Sequence, residues 1–134
     1  MKKLVLNAVV LFSSISAIAA NPQIRACNVT GGQFMVVNSE FDQFGLCKYG
    51  LTTVGSIDIL NRDAQIEIPL SLYNYRKGVK ACPTQNLTTL TTPEGDSLYV
   101  CQYSDSSIID VETLTSGKDS GRNRQLNMVL GLRN

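Results

Sequence analysis

The chain has 134 residues with 12 basic and 11 acidic side chains, and it contains no histidine. This nearly neutral charge excludes a global field that would attract nucleic acid or anionic lipid, so no nucleic acid is expected among the partners. The lack of histidine excludes a Ser-His or Cys-His nucleophile pair and imidazole ligands for zinc.

The N-terminus has the pattern of a secretion signal. Lys2 and Lys3 precede an almost unbroken apolar run over residues 4–12, and Ala17-Ile18-Ala19 fits the small-x-small cleavage pattern. The run is too short for a stable transmembrane helix, so no stable membrane anchor is expected. The sequence therefore predicts a signal peptide over residues 1–19 and an exported bacterial envelope protein, either periplasmic or extracellular.

Asn21-Pro22 opens the mature chain as a helix start. Asparagine is a favoured N-cap, proline is favoured at the first helical position, and Gly31-Gly32 supplies a left-handed end. A short helix is therefore predicted over residues 22–30, and Cys27 would attach it to the rest of the fold.

The four cysteines form two pairs with similar spacing. Cys27 and Cys47 bracket the first pair of apolar runs, and Cys82 and Cys101 bracket the second. An even set of cysteines in an exported chain is typical of a disulfide framework, although their number alone leaves three pairings open. The repeated spacing favours Cys27–Cys47 and Cys82–Cys101. Closing a loop of about twenty residues contributes about 3 kcal/mol in the chain-entropy model.

Apolar runs separated by turn residues predict two hairpins. Residues 34–37 and 44–49 flank a polar turn over residues 38–43. Residues 87–92 and 98–103 flank a Pro-Glu-Gly-Asp turn, which is a strong hairpin signal.

Three further segments outside the two hairpins have patterns that bear on secondary structure. Residues 66–72 alternate apolar and polar side chains and predict a strand, which Pro69 would place at a sheet edge or at a bulge. Residues 56–60 and 107–111 match each other, and periodicity leaves both open between a helical turn and a short strand.

The two halves repeat these features in the same order. Residues 66–72 and 126–132 carry apolar side chains at the same four alternate positions, and the cysteine and tail matches recur at separations of 55, 54 and 60 residues. Ordered matches of this kind indicate an internal repeat, with units over 20–75 and 76–134 that are separate or share one core. The predicted fold is α+β with mainly antiparallel sheet, a tandem duplication of a disulfide-stapled unit with a hairpin and a long closing strand.

One motif of the first half consists of Asn21-Pro22, Cys27, Gly31-Gly32 and Gly45-Leu46-Cys47. Through this motif, the segment from about residue 21 to residue 60 resembles a small bacterial envelope domain of unknown function that is commonly labelled a haemolysin. The resemblance implies an envelope location and a related fold for the first half, and the label suggests a membrane-active toxin as an alternative function. The chain lacks the further cysteines and the Glu-Trp pair with which that family usually continues, and the family carries over no catalytic residues.

The chain contains no cofactor motif and no coherent catalytic set, so neither a cofactor nor a metal is predicted. Two acid pairs, Glu40/Asp42 and Asp110/Glu112, leave a carboxylate-dependent hydrolase as a second alternative. Acids in turns are usually only solvated. The sequence therefore predicts a non-catalytic binding protein and not an enzyme. The most specific version of this hypothesis is an inhibitor of a secreted hydrolase, because small rigid domains suit binding by preorganised loops.

The predicted contact surface consists of the two hairpin turns and the basic C-terminal region. A protein partner is expected at the turns, and an anionic envelope polymer is a second candidate partner for the basic region. The candidate contact residues are Ser39, Glu40, Asp42, Glu94, Asp96, Arg122 and Arg124.

Overall fold

The computed structural model of the chain describes residues 21–132, and the predicted signal peptide lies outside them. The described strands are β1 Gln33–Asn38, β2 Gln43–Tyr49, β3 Thr52–Gly55, β4 Leu87–Thr91, β5 Ser97–Gln102 and β6 Ile108–Asp110. The helices of this range are α1 Pro22–Val29, α2 Ser56–Leu60, α3 Leu70–Lys77, α4 Val111–Ser116 and α5 Arg124–Val129, with short 3₁₀ turns at Thr84–Asn86 and Gly121–Asn123. None of these helices is long and apolar enough to cross a membrane.

The strands form a closed antiparallel barrel in the order β1-β2-β3-β6-β5-β4. Each half of the chain contributes three neighbouring strands, and the halves meet at two seams. At one seam β3 and β6 pair through Val54 and Ile109, and at the other β1 and β4 pair through Asn38 and Thr91. The predicted α+β class with mainly antiparallel sheet is confirmed, and both halves share one barrel.

Alternation along the strands produces two apolar clusters. One fills the barrel interior and contains Val37, Leu46, Leu90, Val100 and Ile108. The neighbouring strand residues, such as Cys47, Val54 and Ile109, point outward and pack against the helices in a larger cluster. The barrel wall is therefore apolar on both faces wherever helices cover it, because successive strand residues face opposite sides.

The first helix and both disulfides agree with the sequence. The Asn21 side chain accepts hydrogen bonds from the backbone N–H groups of Gln23 and Ile24 at 3.1 and 3.3 Å, as expected of an N-cap. The bridges Cys27–Cys47 and Cys82–Cys101 are both present. Each bridge attaches the segment preceding the first strand of its half to the second strand of that half, which fixes the ends of each hairpin.

The predicted long closing strands are wrong. Residues 66–69 have no regular structure, and α3 begins directly after Pro69, which is favourable at a helix start because it lacks an N–H group. In the tail, α5 and its 3₁₀ turn replace the second predicted strand. Leu72 and Tyr75, three positions apart, are buried on one face of α3. The apolar spacing at this site was therefore helical, and the alternation over residues 66–72 was coincidental.

The predicted match between residues 56–60 and 107–111 is also wrong. The first segment is helix α2, whereas the second contains strand β6 and the start of α4. In the fold, β3 corresponds to β6, and each of these short strands leads directly into a helix. The two strand-to-helix junctions, before Ser56 and before Val111, are therefore shifted by several residues from the match that the amino-acid types suggested.

Gly32 lies against the first disulfide, and replacing it with alanine should destabilise the protein. An added Cβ would overlap the Cys47 sulfur and would lie 2.8 Å from a ring carbon of Tyr49. Overpacking of this kind typically costs about 1–3 kcal/mol in the free energy of unfolding. Urea unfolding of the oxidised protein measures the loss.

Gly121→Ala is the matched control, because nothing lies within 4 Å of its added Cβ. A Gly32→Ala protein that is as stable as Gly121→Ala would contradict the packing around this bridge.

Candidate functional site

Two buried aspartates complete the seam between β3 and β6. Oδ2 of Asp58 accepts the backbone N–H of Ile108 at 2.9 Å, and Oδ2 of Asp110 accepts the backbone N–H of Thr53 at 2.8 Å. The two aspartates are 3% and 4% exposed. Each half of the chain thus supplies a carboxylate to a strand of the other half, and the carboxylates satisfy N–H groups that the short ladder leaves over.

Asp110 belongs to a charged cluster that also engages Arg122. Its Oδ1 accepts the backbone N–H of Thr113 at 2.9 Å as the N-cap of α4. The guanidinium of Arg122 lies 4.0 Å from Asp110 and 3.2 Å from Glu112, and it donates to the carbonyl of Leu51 at 2.7 Å. Arg122, predicted as a contact residue, therefore holds the second half to the β2–β3 turn. Both acids of the predicted pair Asp110/Glu112 contact Arg122, Asp110 from a buried position and Glu112 from an exposed one.

Asp58 lies in a different environment, without a basic side chain in ion-pair contact among residues 21–132. Burial, reinforced by the charge of Asp105, raises the pKa of Asp58 to about 7, although hydrogen bonds from Ile108 and Ser71 act in the opposite direction. Burial alone would also raise the pKa of Asp105. Its hydrogen bonds from Ser107 and from the backbone N–H of Leu70 outweigh burial, and its pKa is lowered.

The carboxyl groups of Asp58 and Asp105 hold neighbouring segments of the fold together through hydrogen bonds. The carboxylate of Asp105 and the hydroxyl of Ser107 accept the backbone N–H groups of Leu70 and Ser71 at 2.8 and 2.9 Å, so they cap α3 from the other half of the chain. A carboxyl group with a pKa near 7 could donate a proton to a substrate. The oxygens of Asp105, however, are occupied by Leu70 and Ser107, and Oδ2 of Asp58 is occupied by Ile108 and Ser71.

The first hairpin tip presents an aromatic side chain on a hydrogen-bonded turn. The Ser39 hydroxyl oxygen accepts the N–H of Asp42 at 2.9 Å and that of Phe41 at 3.4 Å, and the N–H of Ser39 donates to the carbonyl of Asp42 at 2.8 Å. Phe41 is 87% exposed. The predicted residues Ser39, Glu40 and Asp42 therefore surround a side chain that the prediction omitted; an aromatic residue in an otherwise polar turn was the available signal.

The second hairpin tip borders a cavity. The hydroxyl of Thr92 accepts the N–H of Asp96 at 3.0 Å, and the turn lines a cavity of about 510 Å³ together with Gln33, Phe34 and Met35 of β1. Glu94 and Asp96 are both exposed on its wall. Because β1 and β4 are antiparallel and pair only through their last residues, the two hairpin tips extend in opposite directions.

The predicted contact residues therefore fall in separate places. The first tip lies apart from the others. Glu94 and Asp96 of the second tip line the cavity beside β1, Arg122 lines a neighbouring cavity, and Arg124 is exposed at the start of α5. A second cavity of about 520 Å³ lies beside the first and shares Lys48, Thr53 and Leu98 with it. Together the two cavities form a groove across one end of the barrel.

Among residues 21–132, no group of three or more cysteine, aspartate or glutamate side chains is arranged to hold a metal ion. Comparison with known proteins gives no match to a family model. No curated protein and no solved structure matches the chain either.

Replacing Asp58 with asparagine should remove a pH-dependent part of the stability. The native pKa of about 7 lies above the ordinary value of 3.8, so the native state keeps a proton that the unfolded chain releases between these values. The free energy of unfolding therefore falls as the pH rises from about 4 to about 7, by up to a few kcal/mol at about 1.4 kcal/mol per pKa unit, and levels off above. The Asp58→Asn protein should lack this fall.

Urea unfolding across this pH range measures the difference between the two proteins. Glu67→Gln is the control, because Glu67 is exposed on the wall of a cavity that Asp58 also lines. A difference between wild type and Asp58→Asn that stays constant with pH would show that Asp58 titrates normally.

Proposed function

We propose that the chain is an exported, non-catalytic binding protein that contacts a protein partner through its first hairpin tip. The observation that carries the proposal is the 87% exposure of Phe41 on a turn held by the Ser39 side chain. Aromatic side chains dominate binding energy at protein interfaces, and one that is already held in an ordered turn loses little entropy on binding.

Two features support export. The disulfides Cys27–Cys47 and Cys82–Cys101 belong to an oxidising compartment, which for a bacterial protein is the periplasm or the cell exterior. The first 19 residues have the pattern of a signal peptide.

The most specific version of the proposed function is inhibition of a secreted hydrolase. The tip continues directly into β2, whose Cys47 is linked to α1, so the loop rises from a covalently stapled base. Glu40 and Asp42 flank Phe41 and are both exposed. A narrow, rigid loop with an apolar apex and acidic flanks would enter an enzyme cleft that combines an apolar pocket with basic walls.

We further propose that the two halves arose by tandem duplication. Each half has three strands followed by two helices, and each carries one disulfide between equivalent segments. Helices α3 and α5 begin 54 residues apart, close to the separations of 55 and 54 residues between the cysteines. The repeat units over 20–75 and 76–134 would then correspond to two half-barrels that complete each other.

A membrane-active function, suggested by the resemblance of residues of about 21–60 to the haemolysin-labelled domain, is the second candidate. The observation that favours it is a group of exposed apolar side chains, Ile57, Ile66 and Ile68, around a cavity of about 440 Å³. Glu67 and Asp105 line the same cavity, and these acids would oppose anionic lipid. Leakage of dye from vesicles of phosphatidylethanolamine and phosphatidylglycerol tests this function; leakage that Ile66→Ser abolishes would favour it over the binding protein.

Truncating Phe41 should weaken inhibition of the target enzyme. The purified protein without residues 1–19 is added to the culture supernatant and periplasmic extract of its source, and protease, glycosidase and lipase activities are measured. We expect one activity to fall with the wild-type protein, and the Phe41→Ala protein to be at least about thirtyfold less potent, which corresponds to about 2 kcal/mol.

Met128→Ala is the matched control, because Met128 is 70% exposed on α5, away from the tip. Equal potency of Phe41→Ala and Met128→Ala, or no inhibition of any activity by the wild-type protein, would refute the proposed role of the tip.

A further inference from the structure

The seam between β1 and β4 leaves part of β1 without a neighbouring strand. The hydrogen bond from Ser39 to Asp42 sets the alternation of the β1–β2 ladder, so Gln33, Met35 and Val37 exchange backbone hydrogen bonds with β2. The N–H and C=O groups of Phe34 and Val36 then point away from β2, towards the seam. There, β1 and β4 pair only through Asn38 and Thr91.

Phe34 lines the cavity of about 510 Å³ described above, and Val36 follows the lining residue Met35 along the same edge of β1. The cavity lining includes Phe34 and Met35 on one side and the turn from Thr92 to Asp96 on the other, with no residue of β4 between them. Within residues 21–132, the backbone of Phe34 and Val36 makes no hydrogen bond to the facing wall. A row of unpaired strand groups beside a groove is the arrangement that accepts an added strand.

We propose that an extended segment of a partner protein binds in this groove by adding an antiparallel or parallel strand to the free edge of β1. Its backbone would pair with Phe34 and Val36, and side chains at alternate positions would face the barrel interior. Met35 and Leu98 are partly buried at that position and provide an apolar floor. The groove lies at the opposite end of the barrel from Phe41, so this proposal does not rest on the hairpin-tip contact.

The charges of the cavity beside β1 select the chemistry of the segment. Glu94 and Asp96 are exposed on the wall opposite β1, and within residues 21–132 neither forms an ion pair. Lys48 lies on β2, directly across from Gln33, at the far side of the cavity. The preferred segment therefore has apolar residues facing inward, and it carries basic residues towards the second hairpin turn.

The corresponding edge of β4 provides an internal control. The hydrogen bond from Thr92 to Asp96 sets the same alternation there, so the N–H group of Thr89 also faces the seam. Thr89 does not line the cavity beside β1. Proline at either position removes an N–H group that the fold does not use, so the two substitutions should disturb the barrel similarly.

The test uses a synthetic peptide of alternating valine and lysine, blocked at both ends, and a second peptide in which glutamate replaces lysine. Each is titrated into the isotopically labelled protein without residues 1–19, and backbone amide signals are followed by NMR. We expect the lysine peptide to shift the amide signals of Phe34 and Val36 and to bind at least about tenfold more tightly than the glutamate peptide.

Val36→Pro should weaken binding of the lysine peptide at least tenfold, whereas Thr89→Pro should not change it. A double variant, Glu94→Gln with Asp96→Gln, should remove the preference for the lysine peptide over the glutamate peptide. Because it alters only exposed turn side chains, it still tests the proposal if Val36→Pro fails to fold. The proposal is overturned if the peptides shift only amides outside β1, if Thr89→Pro weakens binding as much as Val36→Pro, or if millimolar peptide shifts neither Phe34 nor Val36.

Discussion

The barrel depends on the seam where Asp58 and Asp110 accept backbone N–H groups from the opposite half of the chain. Burying a carboxylate is costly, and hydrogen bonds to its oxygens must offset the loss of water. The seam has only one residue pair, Val54 and Ile109, so without these carboxylates the ends of β3 and β6 would leave buried N–H groups without partners. Because each half supplies the acceptor that the other half needs, neither half can complete its own sheet.

The disulfides and the carboxylates therefore have different roles. Each disulfide lies within one half and fixes the segment before its first strand to its second strand, which restricts the unfolded chain. The carboxylates, the shared barrel interior and the contact of Arg122 with Leu51 join the halves. Within residues 21–132 the second seam has no such acceptors: there the backbone groups of Phe34 and Val36 point towards the seam, and Phe34 lines a cavity. One seam is closed by buried carboxyl groups, and the other has strand groups without a neighbouring strand.

The sequence predicted those structural features that depend on residues close together in the chain. Asn21 as an N-cap, the two hairpins and the disulfide pairing followed from residue types and spacing. Features that depend on distant residues were missed. Helix α3 begins where Asp105 and Ser107 cap it, and no pattern near Pro69 indicates this. The candidate contact residues could be predicted only turn by turn, because the direction of each hairpin is set by the closure of the barrel. Arg122 was assigned to a partner since Leu51, the acceptor that joins it to the other half, lies 71 residues away in sequence.

Amide hydrogen exchange of the oxidised protein, followed residue by residue, tests the difference between the two seams most directly. We expect the N–H groups of Thr53 and Ile108 to exchange only when the whole protein unfolds, because their acceptors are buried carboxyl groups from the other half. The N–H groups of Phe34 and Val36, although in the middle of a strand, should exchange far faster than those of Met35 and Val37. Equal protection of all four β1 amides, or rapid exchange at Thr53 and Ile108, would contradict this expectation.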